Sequence, residues 1–238
     1  MNGRIKREVA QGVLSLPEVG RLHIGKKQMS QNGKEYPVSV DYFIPAGKYA
    51  EMFHAALGEK PSTIQILFPS DDAGEVCREE YQYRDNTGAL VASGDGETFR
   101  VWNGKKYVEV TTDKRPDIME AIEKQYPTKR GGENWDIVLT MRFVIPAVRG
   151  IAGVWRFSTK GKASSVKNIR DSFDSVQEMA GTVTGCVFDL SVQFAKSNKP
   201  GDSSRYPVVS LVANNSRVQE VRTMLAGGET AKNLLIER

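Results

Sequence analysis

Short segments in which apolar and polar residues alternate recur along the chain, and this alternation is typical of β-strands with one buried face. It is clearest in residues 35–44. Residues 21–28 precede this segment, and Asn32-Gly33 between the two favours the tight turn of a β-hairpin. Asn103-Gly104 predicts a second hairpin. Further strands are predicted at residues 63–68, 137–144, 151–157, 182–194 and 206–213, and on either side of a turn at 85–88.

One segment has the period of a helix. Val166, Ile169, Phe173 and Val176 recur at spacings of three and four, so one helical face is apolar. Ser164 or Ser165 is a candidate N-cap, because a hydroxyl there can accept a hydrogen bond from an unpaired backbone N–H. Shorter helices are predicted at residues 46–57, 116–126 and 217–225. Many short strands with few helices indicate an α+β fold with mainly antiparallel sheets.

Lys129-Arg130-Gly131-Gly132 is the best candidate for a flexible linker. It predicts a division of the chain into a basic leader at residues 1–15, an N-terminal α+β sub-region at 16–128, a C-terminal α+β sub-region at 133–228, and a tail at 229–238.

The stretch from residue 137 to residue 170 contains no Asp or Glu. Its positive residues are Arg142, Arg149, Arg156, Lys160, Lys162, Lys167 and Arg170. These seven charges exceed the net charge of +4 of the whole chain, so the remainder is net negative. A strand, a basic loop and a helix N-terminus together suit an anion, since unpaired N–H groups and the helix dipole add to the lysines.

Two interpretations of this stretch are open. The first is a polyanion site for nucleic acid, formed by Arg149, Trp155, Arg156, Phe157, Lys160, Lys162, Lys167 and Arg170. The second is a solvated basic surface on an ordinary strand–helix unit, with Trp155 and Phe157 in the core. Charge runs often serve only solvation, so both interpretations have similar weight.

Composition narrows the class of protein. The chain has 238 residues, of which 39% are hydrophobic and 26% charged, as in ordinary globular proteins. Two cysteines and two histidines are too few for a disulfide scaffold or a cysteine-based zinc site. No apolar run is long enough to span a membrane, and the charged N-terminus lacks the apolar core of a secretion signal. A cytoplasmic location is therefore expected.

Neither catalysis nor metal binding is predicted. His23 and His54 lie near no nucleophile motif, and both a Walker loop and a dinucleotide-binding fingerprint are absent from the sequence. Asp71-Asp72 follows a strand and a proline, where a turn or helix cap is a better interpretation than a metal site. The acidic glycine turn at residues 93–97 lacks the ligand alternation of a calcium loop. We therefore predict a protein that is not an enzyme and has no cofactor.

Several short motifs, taken in their order along the chain, resemble a phage protein family. They are LPEVGRLHIG at residues 16–25, KEYP at 34–37, DYF at 41–43, ILFPSDD at 66–72, GDGE at 94–97, GVWRFST at 153–159 and SVKNI at 165–169. Each motif alone is weak, but their shared order over roughly residues 16–213 resembles the recombination directionality factor-like family, whose typical member partners a large serine integrase.

The resemblance implies a bacteriophage protein that binds a serine integrase seated on attachment-site DNA, in the cytoplasm of the bacterial host. Such a factor permits excision and inhibits integration, and it contacts DNA directly or through the integrase. Many family members carry cysteines after the glycine–acid–glycine turn, consistent with zinc. Residues 98–104 of this chain contain none, so no metal is predicted here.

The runner-up interpretation is a single-stranded DNA-binding protein of a phage replication or recombination module. It draws on the acid-free basic stretch with aromatic residues nearby, because single-strand grooves combine cations with stacking rings. The sequence specifies neither the surface that contacts the integrase nor the oligomeric state.

Overall fold

A computed structural model describes residues 16–128, 134–197, 201 and 203–214. The strands are β1 Glu18–Met29, β2 Glu35–Ala46, β3 Thr63–Leu67, β4 Cys77–Arg84, β5 Leu90–Gly94, β6 Thr98–Trp102, β7 Tyr107–Thr111, β8 Trp135–Phe143, β9 Val154–Thr159, β10 Val187–Lys196 and β11 Arg205–Ala213. The helices are α1 Ala50–Leu57, α2 Ala73–Val76, α3 Ile118–Gln125 and α4 Lys167–Ala180, with a π-helical turn at Lys162–Val166. The predicted leader, linker, C-terminal helix and tail lie outside the described residues.

Most strands belong to one eight-stranded sheet, in the order β2-β1-β9-β8-β4-β5-β6-β7. Every neighbouring pair is antiparallel except β1 and β9, which run parallel. A smaller antiparallel sheet has the order β11-β10-β3. The broad prediction of an α+β fold with mainly antiparallel sheets is confirmed. Both predicted sub-regions contribute strands to the larger sheet, those of residues 16–128 and those of residues 133–228.

The main core lies between one face of the larger sheet, the smaller sheet, α1 and α4. The predicted apolar face of α4 is confirmed, since Val166, Ile169, Phe173 and Val176 are all buried there. Phe173 packs edge-on against Phe68, with ring centroids 5.1 Å apart. A second cluster at the β5–β7 end holds Tyr83 and Phe99 with Ile118 and Ile122 of α3. The helices α1, α3 and α4 therefore cover the same face of the larger sheet.

Three predicted helix starts are wrong. β2 continues through Pro45 to Ala46, so α1 begins only at Ala50. α3 begins at Ile118, after Asp117, and Pro116 is not its first residue. Neither Ser164 nor Ser165 is an N-cap, because the chain enters α4 through the π-helical turn and Val166 precedes the helix.

Ser165 has a different role from the predicted cap. Its side chain is only 1% exposed, and its Oγ accepts a hydrogen bond of 3.0 Å from the backbone N–H of Val209 on β11. The hydroxyl thus ties the start of the helix to the smaller sheet, since a buried polar group needs a partner. The predicted strand at residues 151–157 is also shifted: it begins at Val154 and continues through Ser158 and Thr159, beyond its predicted end.

The turn that follows β3 contains two aspartates, each of which accepts hydrogen bonds from a different segment of the chain. Asp72 caps α2, accepting from the Gly74 N–H at 2.8 Å, as the prediction of a turn or cap required. The neighbouring carboxylate of Asp71 accepts hydrogen bonds from Thr182, Val183 and Thr184. Burial alone would raise the pKa of Asp71, but these hydrogen bonds outweigh it and lower the pKa. Asp71 therefore joins the strand of residues 63–67 to the segment that precedes β10.

Candidate functional site

The two faces of the larger sheet differ sharply in chemistry because side chains alternate along each strand. On β9, Trp155 and Phe157 point into the core, where they are 2% and 1% exposed. Arg156 and Ser158 point to the opposite face. On β8, Leu139, Met141 and Phe143 are buried, whereas the alternate residues point away from the core.

Arginines dominate this opposite face. They are Arg21 on β1, Arg78 and Arg84 on β4, Arg100 on β6, Arg142 on β8 and Arg156 on β9. We call the surface that these six residues share the arginine face. Among the described helices, only the short α2 borders it, through Gly74 and Glu75.

One edge of the arginine face is a row of like charges. Arg142 lies directly opposite Arg156 on the antiparallel neighbour, and Arg156 is in register with Arg21 on the parallel one. Glu18 is the acid at this row, with its carboxylate 2.6 Å from Nε of Arg21 and 3.5 Å from an Nη of Arg156. Arg142 donates instead to the carbonyl of Leu16 at 3.3 Å. Like charges directly opposite each other on neighbouring strands are destabilising, so this row suits an added anion.

The remaining arginines continue the face towards β6. Arg78 is paired with Glu80 at 3.2 Å. Arg84 donates to the carbonyl of Gly88 at 3.0 Å and to the side chain of Gln82 at 3.1 Å. Within the described residues, no carboxylate lies within 4.0 Å of Arg84, Arg100 or Arg142. None of the three therefore forms an ion pair with a described carboxylate, and the nearest acid across the strands from Arg100 is Glu109, directly opposite it on β7.

A cleft of about 730 Å³ runs along this face. Six cationic side chains line it, five of the arginines and Lys160, against three acidic ones, Glu18, Glu75 and Glu80. Gln82 and Ser93 also line it and are largely buried. The excess of positive charge in a concave surface makes the cleft a candidate anion site.

An aromatic pair lies beside the cleft on the β6–β7 hairpin. Trp102 and Tyr107 are paired across the two strands, with ring centroids 5.3 Å apart. The Tyr107 hydroxyl donates to the carbonyl of Leu90 at 2.6 Å, so the side chain crosses β6 to reach β5. The Arg100 guanidinium lies over the Tyr107 ring, 5.5 Å from its centroid. Tyr107 is 38% exposed and thus has ring surface open to solvent.

The structure separates the residues that the sequence had grouped. Arg156 and Lys160 line the cleft, Arg142 with them. Trp155 and Phe157 are core residues, as the second interpretation expected, and offer no free ring to a base. The side chain of Lys162 lies outside the described residues. Arg149 is exposed in the β8–β9 connection, next to Gly150, which approaches Met52 of α1 on the opposite side of the sheet.

The cations of α4 are held by local acids. Lys167 pairs with Asp171, and Arg170 lies 3.5 Å from Glu79 and 3.4 Å from Asp171. The hydrogen bond from Lys167, with help from Arg170, lowers the pKa of Asp171. Glu79 lies on the core side of β4, so Arg170 and the cleft are on different sides of the sheet. Lys160, in turn, pairs with Asp136 at 2.6 Å.

Four residues of the arginine face were not predicted from the sequence: Arg21, Arg78, Arg84 and Arg100, which are scattered over 80 residues of the chain. One signal for the two arginines of β4 was present. In CREEYQYR at residues 77–84, every second residue from Arg78 is charged or amide, while Tyr81 and Tyr83 fall on the other face. This alternation predicts a polar sheet face, although it does not say which strands extend that face.

The described part of the chain contains no group of three or more His, Cys, Asp or Glu side chains that is placed to hold a metal ion. Cys77 and Cys186 are buried and form no disulfide bond with each other. Burial raises the pKa of the Cys77 thiol to about 12, with the charges of Asp174 and Glu79 adding to the effect. No described helix has the length and apolar character that crossing a membrane requires.

Comparison with known protein families gives a match that covers most of the chain. The model of a family described as Gp3-like, recombination directionality factor-like, matches residues 19–214. No curated protein and no solved structure gives a significant match. The matched range extends from β1 to the end of β11 and so includes both sheets.

Proposed function

The chain belongs to the recombination directionality factor-like family, and we propose that it is a phage protein that controls a large serine integrase. In this role it binds the integrase on attachment-site DNA, permits excision and inhibits integration. The observation that carries the proposal is the family match over residues 19–214, which takes in the whole framework of strands rather than one motif.

The proposed role is binding rather than chemistry. The integrase supplies the nucleophile for strand exchange, so the factor needs only to favour one arrangement of the integrase–DNA complex over another. Moving a two-state equilibrium from 1:99 to 99:1 requires about 10⁴-fold tighter binding to the favoured state. A protein–protein surface of ordinary size supplies such a difference when a few of its contacts exist in only one arrangement. The bacterial cytoplasm is the compartment in which this partner and its DNA meet.

A reconstituted recombination assay tests the proposal. The purified protein is added to the serine integrase encoded by the same phage, with either the phage and bacterial attachment sites or the two hybrid sites as substrates. We expect recombination of the hybrid sites to rise and recombination of the original pair to fall. The integrase alone, and the integrase with heat-denatured protein, are the controls.

A gel-shift assay examines the physical basis of the same role. An integrase–DNA complex should be retarded further when the protein is added, because the factor joins the seated integrase. If adding the protein changes neither integration nor excision by an active integrase, and retards the integrase–DNA complex no further, then this protein does not direct that integrase. The single-stranded DNA-binding alternative predicts instead tight binding to bare strands and no effect on either reaction.

A further inference from the structure

We infer that the arginine face is a binding site for single-stranded nucleic acid, whose phosphates contact the arginines and whose bases stack at Trp102 and Tyr107. The inference goes beyond the proposed function, because control of an integrase requires no direct contact between this protein and an unpaired strand. Of the candidate residues predicted from the sequence, Arg156 and Lys160 line the cleft of this face.

The charge of the face is the first step. Arg84, Arg100 and Arg142 form no ion pair with a described carboxylate, and Arg142 faces Arg156 directly. A surface that served only solubility would gain from an acid opposite Arg142, since like charges opposed across strands are unfavourable. Arginine binds phosphate, as it binds carboxylate, through paired N–H donors in one plane.

The placement of the arginines indicates an extended ligand. Arg142 on β8 and Arg100 on β6 are three strands apart in the sheet order. The residue of β8 that is in register with Arg100, through Gln82 of β4 and Ser93 of β5, is Asp136. Arg142 therefore lies six residues along the strand from the level of Arg100. Strand spacing and rise place their Cα atoms about 25 Å apart. A single phosphate cannot span this separation, whereas a chain of several nucleotides can.

The aromatic end of the face favours an unpaired strand. Tyr107 reaches across β6 to hydrogen-bond with Leu90, and Arg100 and Trp102 flank its ring. Rings fixed beside a positively charged groove are the surface on which unpaired bases stack, since every base has a free π-face. In a duplex, the bases already stack on one another, and only the phosphates would be available.

The expected salt dependence follows from the number of phosphate contacts. For a single strand, the logarithm of the binding constant falls with the logarithm of salt concentration with a slope of about −0.7 per phosphate. Three contacts, at Arg84, Arg100 and Arg142, give a slope of about −2. Affinity should then fall roughly 20-fold between 50 and 200 mM salt.

Fluorescence anisotropy with a labelled oligothymidine of about 16 nucleotides tests the inference on the full-length protein without integrase. The first variant combines Arg100→Gln and Arg142→Gln. The second combines Arg100→Lys and Arg142→Lys, and the third is Trp102→Ala. The matched control is Lys60→Gln with Lys124→Gln, which removes two positive charges from exposed positions, one in the connection after α1 and one on α3. Circular dichroism confirms that each variant is folded.

We expect the wild-type protein to bind, and the glutamine double variant to lose about tenfold in affinity and most of its salt slope. The lysine counterparts retain the charge and therefore most of the affinity. Trp102→Ala should weaken binding to the single strand roughly tenfold and leave any duplex binding unchanged. The control should bind as the wild type does.

Three results would overturn the inference: no binding at 50 mM salt, equal losses in the glutamine variant and the control, or a duplex bound as tightly as the single strand. Binding of an acidic protein or heparin without binding of the oligonucleotide would assign the face to another polyanion. Because integrase is absent, these results stand whether or not the protein directs recombination.

Discussion

Arg142 and Arg156 lie directly opposite each other on neighbouring antiparallel strands, β8 and β9. Glu18 lies 3.5 Å from Arg156, while Arg142 has a backbone carbonyl as its partner. Two positive charges held side by side in this way oppose folding by about 0.2–1 kcal/mol. A bound anion relieves that repulsion, and this relationship links the stability of the sheet to the proposed binding surface.

The first prediction concerns this pair. Arg142→Gln should leave the free energy of unfolding unchanged or raise it by up to about 1 kcal/mol at low salt, because a repulsion is removed. The same substitution should weaken polyanion binding. Urea denaturation at 20 and 300 mM salt measures the effect, and added salt should stabilise the wild type more than the variant. A large loss of stability in the variant would show that Arg142 serves mainly to hold the sheet together.

The second prediction concerns α4. Lys167→Gln with Arg170→Gln should change the affinity for a single strand little, because both cations are engaged by Asp171 and Glu79. Loss of these exposed pairs should lower the free energy of unfolding by at most about 1 kcal/mol. Anisotropy and urea denaturation give the two values. A tenfold loss of affinity here, with none at Arg100 and Arg142, would restore the helix as the binding surface.

The third prediction contrasts two tryptophans. Trp155→Ala should lower the free energy of unfolding by about 3–5 kcal/mol, because the buried ring packs against Phe53 with centroids 5.5 Å apart. Trp102→Ala, at a partly exposed position, should lower it by less and should act on binding instead. Urea denaturation and anisotropy on both variants separate the roles. The opposite pattern would mean that the aromatic binding surface has been misplaced.

The fourth prediction concerns Asp71 and pH. Hydrogen bonds from Thr182, Val183 and Thr184 lower its pKa in the folded state, so the ionised form stabilises the fold at pH values above the unfolded pKa, near 3.9. Asp71→Asn should therefore lower the free energy of unfolding by about 2 kcal/mol at pH 7. The difference should shrink as pH falls below 4 and the wild-type carboxylate becomes protonated.

Asp41→Asn is a suitable control for this test, because Asp41 is exposed on β2 and its loss should change stability by no more than about 0.5 kcal/mol. Denaturant midpoints from pH 3 to pH 7 provide the comparison. A difference between wild type and Asp71→Asn that stays constant over this range would mean that the charge on Asp71 contributes nothing.

Much of the local structure could be predicted from sequence, because hairpin turns and periodic apolar residues act over a few positions. Asn103-Gly104 indicated the β6–β7 hairpin, and the spacing of Ile169 and Phe173 indicated the buried face of α4. A predicted strand also requires that Trp155 and Arg156 point to opposite faces. That rule alone separates the two residues that had been placed together in one candidate site.

The candidate site depended on information that no single window of sequence contains. The acid-free basic stretch is flanked by two aspartates, Asp136 directly before it and Asp171 directly after it. In the folded chain, Lys160 pairs with Asp136 and Lys167 pairs with Asp171. The arginine face, in contrast, forms only when β4 pairs with β8 and brings Arg78 beside Thr140. Such long-range pairing decides which scattered charges become neighbours.

Photochemical crosslinking is the most direct test of whether the arginine face binds nucleic acid. A single-stranded oligonucleotide carrying 5-iodouracil is irradiated with the full-length protein, and the modified peptides are identified by mass spectrometry. We expect crosslinks at Trp102 and Tyr107 on the β6–β7 hairpin, with modification reduced in the Arg100→Gln, Arg142→Gln variant. Crosslinks confined to α4 and the loop before it, unaffected by that variant, would contradict this assignment.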